Sequence, residues 1–333
     1  MASAEPLAEV WRNDVLESVH MGHAVVVDET GQVLRSWGNP DQIIFPRSSS
    51  KMIQALPLIE SGAAANAGLN TEQLALLCAS HQGAAIHSTR VLSWLDNLGL
   101  SDDDLRCGSE PIRDTDELHA MISAGDVPCQ CHNNCSGKHC GFLTLNKHLG
   151  GGSEYIEIDH PVQVAVRAAY EEACGEASTG YGIDGCSAPN FTTSVTGLGR
   201  AVAAFASADV KSDTRSKAMV SLRDAMRKHP ELVAGEGRAC TELMRASEGR
   251  LALKTGAEGV FVAIAPERKL GIALKVSDGA TRASEAAIAA ILVGLDLLPR
   301  NHPMVQKRMN AGLYNRRNIR AAEIRPAAGL ARI

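Results

Sequence analysis

Ser48-Ser49-Ser50-Lys51 runs directly into the apolar segment Met52-Ile53-Gln54-Ala55-Leu56-Pro57-Leu58-Ile59. A serine three residues ahead of a lysine on a helix presents hydroxyl and amine on one face. A serine hydroxyl is a weak nucleophile until a neighbour takes its proton, and a lysine does so only where burial or nearby positive charge lowers its pKa. Bringing an amine from about 10.4 toward 7 costs roughly 4 to 5 kcal/mol, so the surrounding fold must supply a dry or cationic pocket. The competing reading is a solvated first helical turn with a serine cap. The rest of the chain decides between them.

Working outward, the N-terminal side offers Leu16 to His20, the apolar Ala24 to Val27, the turn Asp28-Glu29-Thr30-Gly31 and Val33 to Trp37, a pattern of paired strands. Helical periodicity dominates from Ser48 to about Val220: Ser48–Glu60, His87–Leu98, Thr115–Ser123, Lys138–His148, His160–Cys174, Thr196–Ala206 and Asp213–Lys228. A second hairpin joins Gly259–Ala265 to Leu270–Val276 through Pro266-Glu267-Arg268-Lys269, and a helix over Thr281–Leu297 follows. Strands at both ends with helices between predict an α/β (α+β) fold, one antiparallel sheet built from the two termini, covering helices and an inserted helical lobe with a cleft beside it. The expected organisation is a single domain over 1–333, with the sheet part at about 8–60 and 250–300 and the mainly helical lobe at about 61–249. The tail after Pro299 shows little periodicity beyond a helix near Pro303 to Ala311.

Lys254-Thr255-Gly256, just ahead of the late apolar strand, can aim an ammonium and backbone N–H groups into a cleft. An early S-x-x-K and a late K-T-G, in that order, resemble the layout of serine β-lactamases and penicillin-binding proteins. A third cluster is His132-Asn133-Asn134-Cys135-Ser136-Gly137-Lys138-His139-Cys140, preceded by Cys129 and Cys131 and followed downstream by Gly182-Ile183-Asp184-Gly185-Cys186. Thiolates and imidazoles at this density suit zinc, although no C-x-x-C pair is present and reduced cysteines also pack as small hydrophobes. Ser80-His81 ends the run Leu76 to Ala79, where an element meets a loop; a plain turn is the alternative.

The 333 residues are 45% apolar and 21% charged, the make-up of an ordinary soluble globular protein. A net charge of -5 with no basic run leaves no electrostatic footprint for nucleic acid, so a small-molecule partner is expected. Met1 to Pro6 lacks a basic start followed by an apolar core, and no secretory signal is read there. Ala286–Leu298 is too short to span a bilayer and carries Asp296. Nine cysteines, an odd number, fit a reducing cytoplasm with buried or metal-bound thiols.

Taken together, Arg47 to Lys51, Cys78-Ala79-Ser80-His81, Asn134 to His139, Asp184-Gly185-Cys186, Ala234-Gly235-Glu236-Gly237-Arg238 and Lys254 to Ala257 resemble the class 3, Rhizobium-type L-asparaginases, the asparaginase II family, over roughly Val10 to Pro299. The resemblance implies a β-lactamase-like fold, a homodimer and hydrolysis of L-asparagine to L-aspartate and ammonia. It pairs Ser48 with Lys51 and Ser80 with Lys254, and assigns one zinc ion per chain to Cys135, Lys138, Cys186 and water. That zinc is expected to shape the pocket and orient the substrate, since the serines are the better nucleophiles. Arg47 and Asp184 are expected to meet the charged ends of the substrate, and His81 to line the pocket. Cys129, Cys131 and Cys140 are additions to the family pattern close to the proposed ligands. Three rivals remain at this point: a penicillin-recognising acyl-serine hydrolase, a zinc hydrolase using metal-bound hydroxide, and a zinc-stabilised amino-acid-binding module.

Overall fold

Apolar runs from both ends of the chain pair into one antiparallel sheet in a computed structural model that describes residues 3–330. Met1 and Ala2, the start of the stretch inspected for a signal, and residues 331–333 of the tail lie outside the described residues. The strands are β1 (Glu5–Arg12), β2 (Val15–Val27), β3 (Val33–Trp37), β4 (Ala252–Gly256), β5 (Val260–Ala265), β6 (Leu270–Val276), β7 (Gly312–Tyr314) and β8 (Arg320–Pro326). Their order is β7-β8-β1-β2-β6-β5-β4, with β3 also paired to β2.

The two early runs are a single strand. One edge of β2 is shared end to end by β1 (Glu5 opposite Gly22) and β3 (Ala24 opposite Trp37), while β6 takes the other edge (Val25 opposite Ala273). Asp28 closes the β2–β3 turn by accepting from the backbone N–H groups of Thr30 and Gln32, the local bonding that makes aspartate a turn residue. Every residue of β5 is buried, which requires cover on both faces. Helices Val195–Ser207 and Thr281–Gly294 supply it. Each large apolar side chain in that strand contributes about 1.5–3 kcal/mol by leaving water.

The tail is structured. After helix Pro303–Met309 it returns as β7 and β8, and β8 pairs along β1 with Ala8 opposite Pro326. This compact unit comprises the chain up to Ser49, Thr193–Ser207, and the chain from Ala239 onward.

A second compact unit, Ser50–Thr192 with Ala208–Arg238, is mainly helical. The expected helix Ser48–Glu60 is broken. A 3-10 turn spans Arg47–Ser50, a short helix follows over Lys51–Gln54, and Leu56–Glu60 restarts after Ala55. Pro57, which has no N–H to give, sits in the first turn of that restart. Helix Thr71–Leu77 begins in a reciprocal cap between Asn70 and Gln73. Thr115–Ala124, Ser136–Leu149 and Pro161–Cys174 each stop at a glycine in the left-handed region. Among the described residues, no helix is long and apolar enough to cross a membrane.

Candidate active site

The Lys51 side chain is 1% exposed. Its ammonium donates to the Ala79 carbonyl, to Ser80 Oγ at 3.2 Å and to the Asn134 carbonyl at 3.3 Å. Three donors thus meet three acceptors, the condition for burying a charge of this kind. The chain builds the cradle by close packing. A Cβ on Gly137 would lie 2.3 Å from the Leu76 carbonyl oxygen, so helix Ser136–Leu149 meets the end of helix Thr71–Leu77 at backbone distance. That contact brings Asn134 beside Ala79 and Ser80, and the Asn134 carbonyl also accepts from His81 N–H at 3.3 Å. Ser80 N–H is anchored on the Val233 carbonyl at 2.9 Å. Spacing paired Lys51 with Ser48; within the helical unit its hydroxyl partner is Ser80.

Ser48 is half-buried on the 3-10 turn of the sheet unit. Arg47, which opens that turn, has φ +52°, a conformation costly for a side chain with Cβ and held by its surroundings. Ser49 N–H and Oγ both donate to the Pro46 carbonyl, at 3.2 and 2.7 Å. The K-T-G strand lies against this turn: a Cβ on Gly256 would fall 2.5 Å from the Pro46 oxygen and 3.2 Å from Ser49 N. Lys254 is fully buried, and its ammonium donates to the Thr255 carbonyl at 2.7 Å.

Cys135, Lys138 and Cys186 converge on the N-terminal end of helix Ser136–Leu149. Lys138 Nζ is 3.1 Å from Cys186 Sγ, and the two thiols share a hydrogen bond. That bond, helped by the Lys138 charge, pulls the Cys186 pKa well below the thiol range and raises that of Cys135. Burial works against the Lys138 charge, but the two sulfurs and Asp184 together push its pKa up. Two sulfurs and an amine, one sulfur already stabilised as thiolate, form a donor set that zinc can take once the amine has lost its proton.

The family model described as L-asparaginase II matches residues 8–326. The chain belongs to the L-asparaginase II family. Membership makes it a hydrolase acting on amides. No curated protein matches this L-asparaginase II member in sequence. Among solved structures, a β-lactamase from Mycobacterium bovis is similar at 14% identity and TM-score 0.44, covering 84% of this chain and 95% of that one. A Bacteroides dorei structure with a provisional β-lactamase designation is 10% identical at TM-score 0.44, covering 77% of this chain and 84% of its own. An octameric penicillin-binding protein homologue from Pyrococcus abyssi is 14% identical at TM-score 0.38, covering 86% and 77%. These likenesses are distant, and the fold rests on the strand order given above.

The remaining expected residues of this L-asparaginase II chain fall in different settings. His81 is 1% exposed and stacks on His87 with ring centroids 4.8 Å apart. Its Nδ1 accepts from Gly83 N–H at 3.2 Å, so Nε2 carries the proton and donates to Ser136 Oγ at 2.9 Å, which donates on to the Cys131 carbonyl. Burial, then the charges of His87, Lys51 and His132, holds the His81 pKa well below the usual imidazole range. With both nitrogens engaged, His81 fixes the loop that carries Ser80 rather than offering a nitrogen to a substrate. Asp184 is half-buried on the turn before Cys186, with its backbone N–H on the Ala188 carbonyl at 3.0 Å. Sequence reasoning missed Glu110 and gave Asn134, though part of a quoted motif, no role of its own. The Glu110 carboxylate receives both the backbone and side-chain N–H groups of Asn134, locking the carbonyl that Lys51 uses. A backbone acceptor leaves no mark in a motif; the Glu110 link joins loops 24 residues apart.

Proposed function

We propose that the chain is an L-asparaginase that hydrolyses L-asparagine to L-aspartate and ammonia by acyl transfer through serine. The observation that carries the reading is the dry, fully bonded Lys51 amine 3.2 Å from Ser80 Oγ, inside a family of amide hydrolases. Support also comes from the tight seat of Gly256 against the turn that bears Ser48.

In this reading the resting Lys51 ammonium first gives a proton to solvent; Ser48 then attacks the side-chain amide carbon while its hydroxyl proton passes to the freed amine, and the tetrahedral intermediate collapses as ammonia departs with that proton. Water then cleaves the aspartyl ester, with the proton returning to Ser48. Ser80 and Lys254 form the second pair, Ser80 holding or relaying the proton and Lys254 stabilising negative charge at the reacting centre. Arg47 and Asp184 take the α-carboxylate and α-ammonium of the substrate. Cys135, Lys138 and Cys186 hold a zinc ion, which, when bound, fixes their geometry and supplies a positive pole for orienting the substrate. The reading also carries a homodimer and a cytoplasmic setting, the latter in keeping with nine free cysteines.

Ammonia release from asparagine and glutamine, together with the colour change on ring opening of a chromogenic β-lactam, each with and without chelator, tests the proposal. Asparagine turnover that vanishes in Ser48→Ala without loss of folding is the expected result. Hydrolysis of the β-lactam in place of asparagine, or a Ser48→Ala enzyme retaining more than a few per cent of activity, removes it.

A further inference from the structure

We propose a second zinc site, separate from Cys135, Lys138 and Cys186, on the turn Cys129–His132, with Cys129 Sγ, Cys131 Sγ and an imidazole nitrogen of His132 as ligands and water in the fourth position. None of these side chains has a part in the amide chemistry above.

The three donor atoms are already gathered. Cys129 Sγ lies 3.3 Å from Cys131 Sγ and 3.3 Å from His132 Nδ1, and Cys131 Sγ lies 3.5 Å from the same nitrogen. A tetrahedral zinc with bonds of about 2.3 Å to sulfur and about 2.0 Å to nitrogen spaces its sulfurs by about 3.8 Å and sulfur from nitrogen by about 3.5 Å. Both sulfur–nitrogen separations are close to this value, and the sulfurs need to spread by only about half an ångström. Two thiolates cancel the charge of a divalent ion, and a mixed sulfur and imidazole set suits zinc over hard cations.

The turn is held in shape independently of the cluster. The Asp102 carboxylate accepts from the consecutive N–H groups of Gln130 and Cys131, at 3.0 and 2.6 Å. The Gln130 side chain clamps Asp102 and Gly108 from the other side, donating to the Asp102 carbonyl and accepting from Gly108 N–H, both at 2.9 Å. The ordering cost of the site is therefore met during folding, and little of it remains for the ion to offset. Cys131 is buried, while Cys129 and His132 are half-exposed, which gives an ion a route in and leaves room for water. His132 Nδ1 accepts from Cys129 N–H at 3.2 Å; ligation through that nitrogen exchanges this bond for the metal. A disulfide between the two sulfurs would require closure from 3.3 Å to about 2.05 Å and gives the imidazole no part.

The test is metal content per chain on the full-length protein grown with zinc, by mass spectrometry of the metal, together with absorption spectra after cobalt(II) exchange. Wild type is expected to carry two equivalents, Cys129→Ser/Cys131→Ser one and Cys135→Ala one, with the cobalt-loaded Cys135→Ala protein keeping its thiolate charge-transfer band. One equivalent in wild type that survives Cys135→Ala and is lost in Cys129→Ser/Cys131→Ser supports this site and removes the other. Unchanged metal in Cys129→Ser/Cys131→Ser, a metal-free Cys135→Ala, or a Cys129–Cys131 disulfide in the zinc-loaded protein overturns it. His132→Gln serves where the double variant does not fold, and is expected to weaken zinc binding at that site at least about tenfold; undiminished affinity likewise overturns the proposal.

Discussion

Gly256→Ala tests whether the K-T-G strand sets the position of Ser48. The new methyl carbon would sit 2.5 Å from the Pro46 carbonyl oxygen, about 0.9 Å inside ordinary contact, and 3.2 Å from Ser49 N. Val260 Cβ would also lie 3.1 Å away, but the tightest contact is with backbone, and the Pro46 oxygen is already tied to Ser49 N–H and Oγ, so it cannot swing aside as the end of a side chain would. The strand and the turn must separate by most of that overlap. Overpacking of this kind costs about 1–3 kcal/mol. The larger effect is on chemistry, because a displacement near 1 Å at a reacting group lowers the rate by about a hundredfold. On the proposed function, asparagine turnover is expected to fall by about that factor while the thermal midpoint drops by only a few degrees. Gly180→Ala, where a Cβ meets nothing within 4 Å, is the control and should leave both unchanged. A Gly256→Ala enzyme within threefold of wild-type turnover would show that the seat of the turn on β4 does not govern the proposed nucleophile, Ser48.

Lys51→Met should separate catalysis from stability. The Ala79 carbonyl loses its donor, at about 1–3 kcal/mol, whereas the Asn134 carbonyl keeps His81 N–H and removal of a buried charge returns several kcal/mol; activity should fall about 10²–10⁴-fold with a near-unchanged urea midpoint, and turnover within tenfold of wild type would contradict the assignment. Gly137→Ala places a methyl 2.3 Å from the Leu76 oxygen and should lose about 3 kcal/mol in denaturant titration; a loss under about 0.5 kcal/mol would mean the two helices slide apart freely. The His87 pKa is lowered to about 4 by burial, so the folded state binds fewer protons than the unfolded chain between about 4 and 6.5. Stability should therefore be complete above about pH 6.5 and decline by about 3 kcal/mol on acidification to about pH 4, a decline that His87→Phe reduces; an equal slope in the variant would assign it elsewhere.

The late hairpin and most of the helices were legible because their periodicity is local: Pro161–Cys174 and Thr214–Lys228 fall within a residue of expectation. The strands β1, β7 and β8 were not. Glu5–Arg12 carries only Leu7, Ala8 and Val10 as fully buried apolar residues, and its identity as a strand depends on partners at Val15–Gly22 and at Glu323–Pro326. At the site, the motifs placed Lys51, Ser80 and the Cys135–Cys186 cluster in useful neighbourhoods. They could not announce that backbone carbonyls of Ala79 and Asn134 complete the lysine's shell, nor that both nitrogens of His81 are spent on holding a loop.

The pairing of β2 with β6 has a consequence for biosynthesis. Val25 and Ala273 are neighbours in space but about 250 residues apart in the chain, so at roughly 5–20 residues per second the ribosome takes about 12–50 s to deliver the partner. During that interval one edge of β2 has only solvent or a chaperone for company, while the stretch that forms the helical unit has already emerged. Slowed translation anywhere between Val27 and Leu270 would lengthen that exposure, and soluble yield should respond to codon choice in that stretch more than in the chain after Val276.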